Sequence, residues 1–226
     1  ESREITRFSL TQKSEETETG ETDPNLFEVT DDGVIFPKEY ENYYFGNKEW
    51  EIEDVVIPSE VNGKKVTKID GNCFNSNGYS SVEVYKNINS IIIPKGVTDI
   101  LDTTSISPAG SSPYYGTGWG AFCGLTNLES ITLPSTLKYI GESAFSGDIG
   151  LSRIELPQNL ETIESYAFSN CTSITRIEIP ETVTTMGEGV FQGWTSEQTI
   201  KVPFKEGETP DGWDENWYDG WGQSQA

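Results

Sequence analysis

Short runs of alternating apolar and polar residues, each ended by a proline, recur along the middle of the chain. Ser130-Ile-Thr-Leu-Pro134, Arg153-Ile-Glu-Leu-Pro157 and Arg176-Ile-Glu-Ile-Pro180 align without gaps, each starting 23 residues after the last, and Thr199-Ile-Lys-Val-Pro203 starts 23 residues later again. Two longer copies precede them, opening at Asp54-Val-Val-Ile-Pro58 and Ser90-Ile-Ile-Ile-Pro94. Their extra length sits in insertions at 62–66, 75–87 and 103–118. Period-two alternation with β-branched residues predicts a short strand in every unit, and the proline, which has no N–H to donate, stops it.

Later positions of the unit repeat as well. Position 8 holds Val97, Leu137, Leu160 and Val183, with Val66 displaced by its insertion, and position 11 holds Ile69, Ile100, Ile140, Ile163 and Met186. Position 16 is phenylalanine throughout, as Phe74, Phe122, Phe145, Phe168 and Phe191, each after Cys73, Ala121, Ala144, Ala167 or Val190. One such turn of chain cannot bury these side chains alone; stacked turns join them into a continuous core. The fold expected is mostly β, with short helical turns near each Ala-Phe and a phenylalanine column as its spine.

The units divide the chain. Residues 1–23 include the acidic run Ser14-Glu-Glu-Thr-Glu-Thr-Gly-Glu-Thr22 and are expected to form a flexible tail. Residues 24–53 place Asp31-Asp-Gly33 between Leu26-Phe-Glu-Val and Val34-Ile-Phe, a hairpin signal, and are expected to cap the first unit. The repeats occupy 54–204, with units starting at 54, 90, 130, 153, 176 and 199. Residues 205–226, acidic and aromatic, are expected to lay Trp213 and Trp217 over the last unit; a calcium or glycan site is the sharper alternative, although the spacing lacks the ligand order of an EF-hand loop.

The repeat I-x-I-P-x-x-V/L-x-x-I-G-x-x-A-F-x-x-C/x-x-x-L, best matched by Ser130 to Ser152 and Arg153 to Thr175, resembles the BspA-type leucine-rich repeat, also called the Treponema pallidum-type repeat. The run Val55 to Ile69 resembles how such arrays begin, and Val202 to Trp217 resembles how they end. The second unit departs from the pattern in its long insertion and in Leu101 where glycine is usual. The resemblance implies a right-handed leucine-rich-repeat solenoid of the α/β superhelix class. It also implies a bacterial surface or secreted protein that engages protein or other ligands.

Composition narrows the chemistry. Apolar residues make up only 34% of the chain, which suits a thin fold with a narrow core. The formal net charge of −22 repels phosphate backbones, so no nucleic-acid partner is expected. There is no histidine, which removes the commonest general base and the Ser-His and Cys-His pairings. Cys73, Cys123 and Cys171 form no CxxC pair, so no metal site or cofactor is expected. Cys171 reads as a buried small hydrophobe, with a Cys73–Cys123 bridge between adjacent units as an open alternative. No apolar stretch is long enough to span a membrane as a helix. The chain begins at Glu1 without methionine, which reads as a trimmed product whose leader has been removed.

If positions 2 and 4 of each strand point inward, positions 1 and 3 point out. Position 1 then presents Arg153 and Arg176, and position 3 presents Val56, Ile92, Thr132, Glu155, Glu178 and Lys201. Val56 and Ile92 need cover, while the charges are expected either to neutralise one another on a solvated sheet or to contact a ligand. Arg153 and Arg176 are expected to lower the pKa of Glu155 and Glu178, which suits neither for an acid role. The second insertion carries Tyr114, Tyr115 and Trp119, which either fold back over Val56 and Ile92 or form a recognition loop. The function expected is a non-catalytic, extracellular binding or adhesion module for an unknown protein or glycan ligand. A structural spacer in a surface protein is the first rival; a carbohydrate-active enzyme, which would need a deep acidic pocket and a carboxyl of raised pKa, is the second.

Overall fold

The fold was analysed in a computed structural model that describes residues 20–38, 51–71, 73–74, 85–102, 120–205 and 208–218. Two parallel ladders run through the repeats. The first pairs Asp54–Val56, Ser90–Ile92 and Ser130–Thr132 in that order, in the register Val55↔Ile91↔Ile131. After an isolated bridge from Ser130 to Arg153 it gives way to a separate pair, Arg176–Glu178 with Thr199–Lys201. The six-unit strand ladder implied by the proline-ended runs is therefore broken: residues 154–157 form no strand.

The offset of 23 residues that pairs Thr162 with Thr185 also sets Arg153 against Arg176 and Glu155 against Glu178. Like charges directly opposite one another oppose close pairing, and this is where the ladder opens. Opposite signs alternate along each strand, then, and not down these two columns. One unit further on, Glu178 faces Lys201 and pairing resumes.

A second ladder, which the proline-ended runs do not signal, lies beside the first. It runs Phe27–Val29, Val34–Pro37, Lys68–Ile69, Asp99–Ile100, Tyr139–Ile140, Thr162–Ile163 and Thr185–Met186, antiparallel in the first pair and parallel after it. Its strands in the repeats are two residues long, too short for alternation to reveal, yet they carry the isoleucine column of position 11. Asp31-Asp-Gly33 makes the expected hairpin turn, with Gly33 at φ +83°. The first insertion forms its own hairpin, Glu60–Val61 with Lys64–Lys65, around Asn62 and Gly63 at φ +51° and +78°. An Asn-Gly pair with both φ positive matches the right-handed twist of the flanking strands.

The third side of the stack is made of turns. Phe122, Phe145 and Phe168 donate their N–H to Ala144, Ala167 and Val190 of the following unit, each at 2.9 Å. The segments around each Ala-Phe are single i→i+3 turns, and no α-helix occurs among the described residues, so the expected helical turns do not lengthen into helices.

Inside, the five phenylalanines form one row. Their rings stack at centroid distances of 5.9, 5.4, 5.2 and 5.9 Å, with planes 7–13° from parallel. Burying each ring stabilises the stack by roughly 1.5–3 kcal/mol. The row ends edge-to-face, against Phe27 and Tyr85 at one side and Trp194 and Trp217 at the other. Trp213 extends the second ladder by a bridge to Met186, and its Nε1 donates to the Val183 carbonyl.

Residues 20–23, expected within the tail, are instead docked. Thr22 is buried and bonds both backbone groups of Val56, while Glu21 accepts from Ser59 N–H and hydroxyl. All three cysteines are buried free thiols, so the alternative Cys73–Cys123 bridge is not formed. Desolvation, the dominant cause, pushes the Cys73 and Cys171 thiols well above their usual range.

Candidate ligand-binding face

The first ladder turns Val55, Ile91 and Ile131 inward and the separate pair turns Ile177 inward, all buried. The residues between them face out as the alternation requires. Val56, Ile92 and Thr132 lie side by side in register, Val56 half-buried, Thr132 exposed and Ile92 43% exposed. Ile92 is one of only a few large hydrophobic side chains left exposed among the described residues. Val56 is covered in part because Thr22 closes the edge of its strand, a long-range contact between residues 34 apart that no local pattern signals.

Arg153, Glu155, Arg176, Glu178 and Lys201 are all exposed on the same face. Lys201 Nζ meets Glu178 Oε1 at 2.6 Å. That hydrogen bond holds the Glu178 carboxyl below its usual range, with Arg176 a smaller influence, so the arginine assigned this role from sequence is not its main cause. Among the described residues neither Arg153 nor Arg176 has an ion pair. Mutual neutralisation thus holds for Glu178 and Lys201, while Arg153 and Arg176 are exposed to solvent.

Tyr114, Tyr115 and Trp119 lie outside the described residues. The insertion that carries them is rooted at an antiparallel bridge between Asp102 and Gly120. Asp102 follows the strand Asp99–Ile100, so this root belongs to the second ladder and not to the strand face.

A cluster that the sequence reading missed surrounds the root. The Tyr139 hydroxyl donates to Asp102 Oδ2 at 2.8 Å. Desolvation, and then the charges of Asp102 and Glu164, push the Glu142 carboxyl up; desolvation and then Asp102 do the same to Glu164. The Tyr139 phenol is also raised, by desolvation first and then by its bond to Asp102. All four side chains are half-buried. A signal was available: Asp102 and Glu142 share position 13 of the unit, and Glu164 sits at position 12 of the next. Among the described residues no group of histidine, cysteine and carboxylate side chains is arranged to hold a metal ion. No described helix is long and apolar enough to cross a membrane.

Comparison with known proteins agrees with this geometry. Residues 117–209 match the family model of the BspA type leucine rich repeat region, in 6 copies. The chain is similar in structure to a leucine rich repeat protein of T. pallidum, with a TM-score of 0.56 and 24% identity over 77% of this chain and 71% of that one. It is also similar to a leucine rich cell surface protein from Faecalibacterium prausnitzii A2-165, with a TM-score of 0.53 and 25% identity over 78% of this chain. The chain spans 40% of that protein's length. No curated protein matches the sequence. With its mostly-strand fold, its two ladders and its matched repeats, the chain carries a leucine-rich-repeat fold, and its residues 117–209 are similar to the BspA-type leucine-rich repeat.

Proposed function

We propose that this chain is a right-handed solenoid acting as a non-catalytic binding module of a bacterial cell-surface or secreted protein. It recognises a protein or polysaccharide ligand through its strand face. The repeats at 54–204 form the rigid support, the hairpin within 24–53 caps one end, and the segment from 205, with Trp213 and Trp217, caps the other.

The observation that carries this reading is the row Val56, Ile92 and Thr132, which leaves an exposed aliphatic on a paired strand ladder that an isolated bridge joins to the exposed Arg153. An isoleucine held in water on a rigid ladder gains free energy when a partner covers it. Similarity to a leucine rich cell surface protein of Faecalibacterium prausnitzii supports the location. Tyr114, Tyr115 and Trp119 are proposed, on sequence grounds, as a second contact.

The test is a glycan array with a surface-protein binding panel, run on the native chain and on an Ile92→Ser/Arg153→Gln/Arg176→Gln variant. Loss of a bound ligand in the variant, at unchanged melting temperature, supports the reading. Equal binding by both proteins overturns the strand face as the site, and binding of neither favours the spacer role.

A further inference from the structure

Asp148, Cys171 and Trp194 occupy position 19 in three successive units, and all three are buried. Two of them do the same job. Cys171 Sγ donates to the Phe145 carbonyl at 3.0 Å, and Trp194 Nε1 donates to the Phe168 carbonyl at 2.9 Å. In each case the acceptor is the column phenylalanine 26 residues earlier. The same offset from Asp148 leads to the carbonyl of Phe122.

Asp148 is the exception in its chemistry. Its Oδ1 accepts the Leu125 N–H at 2.8 Å, while its Oδ2 is wholly buried and has no partner. An ionised carboxylate offers only acceptors, so at this position it would set one oxygen lone pair against another in a dry core. A protonated carboxyl offers the donor that Cys171 and Trp194 supply in the units that follow.

We infer that Asp148 is held in the fold as the neutral acid, its Oδ2–H donating to the Phe122 carbonyl, so that folding takes up one proton and the stack weakens as pH rises. The proton comes from solvent and is returned on unfolding. Burial drives the Asp148 carboxyl well above its usual range, and the amides of Leu125 and Gly124 offset this only in part. The titratable groups packed nearby are thiols: Cys171 from the following unit, which itself feels Cys123 from the preceding one.

The linkage has a definite sign. Above the ordinary carboxylate range the unfolded chain has released this proton while the folded chain keeps it. Each further pH unit then shifts the folding equilibrium about tenfold toward the unfolded chain, until the folded value is reached.

The test compares the native chain with Asp148→Asn by denaturant unfolding from pH 5 to pH 8. The asparagine amide keeps both an acceptor and a donor and does not titrate. Its folding constant is expected to gain about tenfold per pH unit over the native chain's. Parallel pH profiles for the two proteins overturn the inference. Infrared difference spectra of the folded native chain at pH 7 give an independent reading: a protonated-carboxyl band supports it, and absence of that band overturns it even where Asp148→Asn does not fold.

Discussion

The phenyl ring of Phe145 lies over that of Phe168 at a centroid distance of 5.2 Å, with planes 8° from parallel. The neighbouring backbone follows the same translation, Phe145 N–H to the Ala167 carbonyl at 2.9 Å. Side-chain stacking and main-chain bonding thus act on the same turn, and Phe145 has a ring on both sides. Phe145→Ala opens a cavity that neither neighbour can fill without leaving its own register. The expected cost is about 3–5 kcal/mol, read from the midpoint of urea unfolding.

The end of the row makes a second prediction. Trp217 meets Phe191 edge-on at 6.0 Å, and its segment accepts the Met186 N–H at the Gly212 carbonyl and the Gly189 N–H at the Asn216 carbonyl. Trp217→Ala is expected to remove about 3 kcal/mol. Hydrogen exchange should accelerate at the Met186 and Gly189 amides and stay slow at Phe122 and Phe145. Uniform acceleration would show that this segment is not a local closure.

Gly141 packs against the unit before it. A Cβ there would lie 2.6 Å from the Asp102 amide nitrogen and 2.8 Å from the Ile100 carbonyl oxygen, both backbone atoms. Gly141→Ala therefore pushes two units apart, at an expected cost of about 1–3 kcal/mol. Thermal unfolding measures it, and a neutral result would mean that the spacing between units yields easily.

Asp102 and Glu164 lie beside Tyr139, Glu142 feels the charge of both, and burial first and then these charges raise the Glu142 and Glu164 carboxyls. A raised folded pKa means that stability is complete below the unfolded value and declines as pH climbs through the carboxylate range and above it. Glu142→Gln/Glu164→Gln should raise the melting temperature at pH 7 and leave it nearly unchanged at pH 4. Added salt should shrink the gain, since these groups are half exposed. A gain that persists at pH 4 would point to packing and not to charge.

The columns at positions 2, 4, 8, 11 and 16 were legible because each residue recurs at a fixed offset, and a stack leaves such residues nowhere to go but inside. The same offset puts Ile92, Thr132, Glu178 and Lys201 on an outer face from the alternation alone. The break in the first ladder could also have been read, since Arg153 faces Arg176 and Glu155 faces Glu178 at that offset. Alternation along a single strand hides it, because the like charges meet only across strands.

The repeat by itself determined a leucine-rich fold with a phenylalanine spine, since burying those rings requires translation by one unit and little else. Only the tertiary structure decided how its surfaces close and where charge collects. Thr22 seals the edge beside Val56, Tyr139 reaches Asp102 across 37 residues, and Asp148 lies buried beneath Cys171. Such contacts join positions that share no period, and their energies depend on the water they exclude, which a one-dimensional pattern does not record.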